Sequence, residues 1–230
     1  LGQIIANSGK IGIYAGLVKN SGALRADGVV AGQNGEILLK ATQNATLDAG
    51  GTLSASGARG GSVTIQAGDT TLLSGTVEAK GSQGQGGTVQ VLGNQVGLLD
   101  NARIDASGQS GGGYVMVGGD FHGANPDVQN ATATYVSPTA TINADAIRAG
   151  DGGNVAVWSN DATRFYGAIS ARGGAQSGNG GFVETSGKAW LDFRGTVDTH
   201  APFGNFGTLL LDPTSSTISN TVTSNGTCPP

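Results

Sequence analysis

Short runs of aliphatic residues alternate with polar ones along the chain and are fenced by paired glycines, as in GDGGNVAVWSNDATRFYGAISARGG over 150–174. When the second glycine of each pair is aligned, GKIGI at Gly9, GEILL at Gly35, GSVTI at Gly61, GTVQV at Gly87 and GYVMV at Gly113 form one series with a step of 26 residues. GNVAV at Gly153, GFVET at Gly181 and GTLLL at Gly207 extend it with steps of 40, 28 and 26. The residues two and four positions after these glycines are aliphatic in fifteen of sixteen cases, from Ile11 and Ile13 to Leu209 and Leu211, Thr185 being the exception. The residue between them ranges from Gly12 to Gln90 to Glu184. A period of two with one constant apolar face predicts a strand with one buried side.

A second signature follows in most repeats: ALRADG, TLSASG, TVEAKG, RIDASG, TINADA, AISARG and TVDTHA, with Leu24, Leu53, Val77, Ile104, Ile142, Ile169 and Val197 as the apolar residues. Pairs such as Leu72-Leu73, Leu98-Leu99 and Phe165-Tyr166 suggest a third strand per repeat. No segment of ten or more residues carries a helical apolar period, and a repeat of this length is too short for a βαβ unit of roughly 30 residues. The expected fold is therefore all-β: a right-handed parallel β-helix, or solenoid, with about 26 residues per rung and roughly eight rungs. A sandwich needs no fixed register of this kind, and a propeller needs roughly 40–50 residues per blade. The expected organisation is a single β-helix domain over 1–212 with an irregular tail over 213–230. The paired glycines then mark rung corners, where a positive φ or a close backbone approach demands a residue without Cβ. Glycine spacings that mimic nucleotide fingerprints arise from the repetition and lack the βαβ context such a loop requires.

Composition supports order. Glycine accounts for 42 of 230 residues and charged residues for only 12%, yet aliphatic residues recur in register throughout. The net charge of −4 is spread without runs of either sign, which argues against a nucleic-acid surface built on clustered Lys and Arg. No apolar stretch approaches the ~18 residues of a membrane-spanning helix. Cys228 is the only cysteine, so no internal disulfide forms. The start at Leu1, with neither Met nor a signal segment, reads as a piece of something longer.

The long step of 40 is one repeat plus 14 residues, placed within about 118–131 (GGDFHGANPDVQNA). Insertions in solenoids form loops on one face, and such loops often bind. Asp120, Phe121, His122, Asn125 and Asp127 are the candidate ligand-binding residues, set against the plainer reading of a solvated loop. One histidine and two aspartates lack the spacing of a known metal loop, so neither metal nor cofactor is expected. Eight of the twelve aromatics fall within 49 residues: Trp158, Phe165, Tyr166, Phe182, Trp190, Phe193, Phe203 and Phe206. They form either a stacking platform for a glycan or the filling and end cover of the solenoid. Glu78 and Asp105 align one rung apart and face outward by parity, a carboxylate pair of the sort a polysaccharide-active enzyme uses, but with no histidine or clustered base beside them. The expectation is a protein without enzymatic activity. Asp145 and Arg172 align as an exposed pair, and Asn44, Asn130 and Asn225 open Asn-x-Thr sequons.

Several stretches, once aligned by rung, resemble the filamentous haemagglutinin family of large bacterial exoproteins secreted by the two-partner route. They are VMVGGDFHG at 115–123, TYVSPTATINADA at 134–146, DGGNVAVWSNDATRFYGAISARGG at 151–174, GNGGFVETSGK at 178–188 and GTLLLDP at 207–213. The match is strong over the C-terminal half and looser over the N-terminal rungs. It includes Trp158, Phe165, Tyr166 and Glu184 in fixed order. The resemblance implies a secreted, cell-surface β-helical adhesin shaft, exported through an outer-membrane pore partner and attaching to a host glycan or protein receptor. Nothing here matches the signal-bearing start of that family, which places the chain downstream of it or at its trailing edge. Alternative readings are a ligand-capturing module for a glycan or a haem carrier, and a filament subunit that associates end to end through uncapped rungs.

Overall fold

The computed structural model describes residues 2–28 and 34–214. Its strands are short, three to six residues each, because a glycine or polar corner interrupts the alternation before it can run further. They stack into three parallel sheets. The first contains eight strands from Gln3–Ile5 to Thr196–Asp198, the second eight from Lys10–Ala15 to Thr208–Leu210, and the third seven from Val18–Asn20 to Trp190–Phe193. The chain visits them cyclically, so every strand pairs with its equivalent one turn away and the whole is a parallel β-solenoid of about seven turns with about 27 residues each. The eighth rung expected from the sequence is represented by its opening strand, Thr208–Leu210.

The aligned aliphatics pair as Cα partners along the second sheet: Ile11 with Ile37, Ile37 with Val63, Val63 with Val89, Val89 with Val115, Val115 with Val155, and Val155 with Val183. From Ile37 to Val183 they are completely buried. Leu24, Leu53, Val77, Ile104, Ile142 and Ile169 of the first sheet face them, and Leu47, Leu73, Leu98, Val136 and Phe165 of the third close the core. Each such side chain contributes roughly 1.5–3 kcal/mol by leaving water. The constant step of 26 belongs to the second sheet; in the first, Ala23 pairs with Thr52 and Thr52 with Thr76, steps of 29 and 24 that the polar corners absorb.

Corner glycines work by close approach. A Cβ on Gly61, Gly87, Gly113, Gly153, Gly181 or Gly207 would lie 2.0–2.2 Å from the carbonyl oxygen of the equivalent glycine one rung earlier. Their partners Gly60, Gly86, Gly112, Gly152 and Gly180 meet backbone atoms of the following rung at 1.8–2.2 Å. One glycine of each pair thus seats the corner on the rung below and the other on the rung above. Each corner is tied by an amide bond such as Gly87 N to Ala79 O at 2.6 Å or Gly113 N to Ala106 O at 2.8 Å.

The insertion is divided. Val91 pairs with Val117, 26 positions on, but Gln95 pairs with Ala133, 38 on, so twelve extra residues lie between the second and third sheets. Gly108 then bridges to Ala146, still 38 on, whereas Tyr114 pairs with Asn154, 40 on. The remaining two of the expected 14 residues therefore lie at the next glycine corner, where Gly150 adopts φ 93°. Cys228 and Asn225 lie outside the described residues.

Candidate functional site

The insertion leaves the second sheet at Gly118, whose φ of 79° turns the chain outward. Asp120 caps a 3₁₀ turn, Phe121–Gly123: its Oδ1 accepts from Phe121 N at 2.8 Å and its Oδ2 from Asn125 Nδ2 at 2.8 Å. Asn125 Oδ1 accepts from Asp127 N at 3.1 Å. Asn130 Nδ2 donates to Gly123 O at 2.8 Å, and Ala131 N to Gly118 O at 2.5 Å, closing the neck. Of the five residues singled out in the sequence, Asp120, Phe121 and Asn125 therefore hold the loop in shape. Asp127 is exposed beside Pro126, and His122 is turned toward a separate cluster. Asn130 is built into the loop, unlike the exposed Asn44.

Folded this way, the loop lies along the outer face of the second sheet and reaches rungs far from its own. Gln129 Nε2 donates to Ala67 O at 3.2 Å and its Oε1 accepts from Gln66 Nε2 at 3.1 Å, two rungs back. In the other direction Phe121 packs against Phe182 with ring centroids 5.4 Å apart. His122 N donates to Glu184 Oε2 at 3.0 Å. Glu184 follows the outward parity of its strand yet is 0% exposed, because the loop covers it. Its Oε1 has no hydrogen-bond partner and lies 3.9 Å from His122 Nδ1; Asp212 Oδ2, from the last rung, lies 3.8 Å from the same nitrogen. Trp158 sits beneath the loop, where a Cβ on Gly119 or Gly123 would strike the indole at 2.7 or 2.5 Å. A cleft of about 280 Å³ opens between loop and last rung, lined among others by His122, Trp158, Asn160, Lys188 and Asp212.

The other candidates resolve differently. Glu78 and Asp105 are Cα partners, but Lys80 Nζ takes Glu78 at 2.7 Å and Arg103 takes Asp105 at 2.9 Å. Asp105 is 4% exposed, covered despite its outward parity, which leaves no open carboxylate pair for acid–base chemistry. Burial pushes its carboxyl up, but hydrogen bonds from Ser107 and Arg103 outweigh this and hold it below the usual carboxylate value. The alignment of Asp145 with Arg172 does not produce an ion pair: Asp145 Oδ1 accepts from Ser170 Oγ and from Arg172 N, while the guanidinium lies 3.6 Å from Asp198 on the following rung.

Aromatic residues disperse. Phe165 and Phe193 stack at 5.3 Å in the core. Tyr166 and Trp190 lie on the outer face of the third sheet under the guanidiniums of Arg194 and Arg164. Phe203 and Phe206 stand exposed at the last rung. Among the described residues no group of three or more His, Cys, Asp or Glu side chains is placed to hold a metal ion, and no helix is long and apolar enough to cross a membrane.

Sequence reading missed a column of buried threonines. The hydroxyls of Thr71, Thr134 and Thr163 donate to the carbonyls of Leu92, Trp158 and Ser186 at 2.7–2.8 Å, fastening the corner between the second and third sheets. The signal was present as Thr two places before the core residue in TTLL, ATYV and ATRF, but a hydroxyl on a core face reads as a break in the apolar pattern. Glu184, one of the residues that carry the family resemblance, stands at a varying outward position, and its pattern gives no sign that the loop buries it.

No protein-family model and no curated protein matches the chain. Among solved structures it is similar to the HMW1 secretion domain from Haemophilus influenzae, with 26% sequence identity and a TM-score of 0.65 over 91% of this chain. The chain spans 64% of the length of that structure. The likeness to two-partner-secretion exoproteins of the filamentous haemagglutinin type, carried in the sequence by 115–123, 134–146, 151–174, 178–188 and 207–213, is borne out by this match.

Proposed function

We propose that the chain is a non-enzymatic segment of a secreted bacterial exoprotein, exported through an outer-membrane pore by the two-partner route and displayed at the cell surface as a rigid shaft for attachment. The observation that carries this reading is a parallel β-solenoid at 26% identity to a secretion domain over 91% of the chain. A stack of rungs, each held by its neighbours, supplies stiffness without any other scaffold. The attaching element is the crest of the insertion, where Ala124, Pro126 and Asp127 are exposed on a loop whose base is fixed by Asp120, Asn125 and Asn130. The receptor is a host-surface glycan or protein, reached by the crest without movement of the core.

Binding of the purified chain to an array of glycans and host-surface proteins tests this, run beside Asp127→Lys, which reverses the charge of the crest and spares the bonds beneath. Deleting the loop would be a poorer probe, because it would uncover Trp158, Phe182 and Glu184. The expected result is a hit weakened at least roughly tenfold by the substitution, as for a central contact residue. Silence from both proteins removes attachment from this segment and leaves it a shaft alone. Cleavage of a polysaccharide, with or without calcium, would overturn the non-enzymatic reading.

A further inference from the structure

We propose that the insertion is a proton-operated clasp, in which uptake of a proton by His122 fastens the loop to Glu184 and Asp212 across the last rungs of the solenoid. The starting point is the carboxylate of Glu184. It is fully buried and accepts a single hydrogen bond, from His122 N at 3.0 Å to Oε2, while Oε1 has none. A buried carboxylate without a counter-charge is costly, and the environment must supply one or neutralise it. The group nearest to that oxygen that can become positive is His122, with Nδ1 at 3.9 Å. Asp212 approaches the same nitrogen to 3.8 Å from a different rung. Both separations exceed a hydrogen bond, so a neutral imidazole links neither carboxylate. A protonated one attracts both, and slight closure converts two near contacts into ion pairs.

Three further features fit such a device. The imidazole is 56% exposed, so it exchanges protons with solvent while its backbone amide remains bound to Glu184. His122 is held at φ 55°, a left-handed conformation, with its Nδ1 3.8–3.9 Å from both carboxylates. Among the other charged groups around it, Asp120 is engaged by Phe121 N and Asn125 Nδ2, and Lys188, across the cleft, is the cation that the imidazolium must outweigh at Asp212. Because the closed form holds the extra proton, proton uptake at His122 and closure favour each other.

The indole under the loop reports the state. Trp158 contacts Gly119 and Gly123 and is one of only two tryptophans. In a Trp190→Phe background, acrylamide quenching of Trp158 is followed from pH 8 to 5. The expected result is a one-proton transition in which the residual quenching of this indole, only 4% exposed, falls on the acid side by up to about fivefold, the most a partly exposed ion pair gives. His122→Asn tolerates the left-handed backbone and keeps the amide bond to Glu184, and in that variant the transition disappears. A flat profile in the parent protein overturns the proposal. So does a transition that persists unchanged in His122→Asn, which would place the titration at another group.

Discussion

Four ion pairs join residues two positions apart in or just beyond a strand: Arg25 with Asp27, Lys80 with Glu78, Arg103 with Asp105 and Arg194 with Asp192, at 2.7–2.9 Å, whereas Lys10 with Glu36, Lys19 with Asp48 and Arg172 with Asp198 join successive rungs. Residues i and i+2 share a face of a strand, so a long basic side chain folds over its acidic neighbour without help from another rung. Most of these pairs are exposed and worth about 0–1 kcal/mol. Asp105 differs because it is buried and also accepts from Ser107 Oγ and N at 2.6 and 3.1 Å. Its folded-state pKa lies below its unfolded value, so its contribution is present above the ordinary carboxylate range and is lost as pH falls through the depressed folded value. Asp105→Asn is therefore expected to cost roughly 1–3 kcal/mol at pH 7. The gap between variant and parent should shrink toward pH 3, as read from urea denaturation at both pH values. A constant gap would assign the cost to geometry alone.

Corners decide whether strands of this length can form a solenoid at all. Each sheet turns into the next through a few residues, and the glycine pairs let successive corners nest at distances that exclude any side chain. Gly87→Ala places a methyl 2.0 Å from Gly61 O, where both atoms belong to backbone fixed by neighbouring rungs. That substitution is expected to cost roughly 2–4 kcal/mol, the range for overpacking a site that cannot relax. Gly50→Ala meets only Ser21 O at 3.8 Å and should be close to neutral, so comparing the two midpoints of thermal unfolding separates the corner requirement from a general cost of replacing glycine.

Contacts over the whole molecule are mainly between neighbouring rungs, and its two ends differ from its middle. Ile4 and Ile5 are exposed at one end, and Phe203, Phe206, Leu209 and Leu211 at the other, while the aligned core residues between are buried. The insertion is the exception to nearest-neighbour coupling, since it bonds Gln66 and Ala67 on one side and Glu184 on the other. A buried, unpaired charge at Val89→Asp is therefore expected to lower amide protection most over 62–117. Protection over 154–193 should fall less, because the loop and the glycine corners still secure those rungs. Hydrogen exchange by mass spectrometry reads both regions, and a uniform loss would indicate that the solenoid unfolds as one unit.

Strand positions, the parallel solenoid, the aliphatic columns and the place of the corners were determined by the sequence alone. The physical reason is that each rung repeats the same local solution, so an interaction between rungs appears in the sequence as an interaction at a fixed step. Val63 and Val89 show their contact by recurring, and Gly61 and Gly87 do the same. What only the tertiary structure decided is aperiodic: that twelve of the extra residues form the loop while two lengthen a corner, that Asp105 is covered, and that Arg172 turns to Asp198 and away from Asp145. The site is the clearest case. Asp120, Phe121, His122, Asn125 and Asp127 are legible as an insertion, but nothing local ties His122 to Glu184 or Asp212, which come from later rungs. Glu184 looks like any outward residue of a strand until the loop lies over it, and folding turns a solvated carboxylate into a buried anchor.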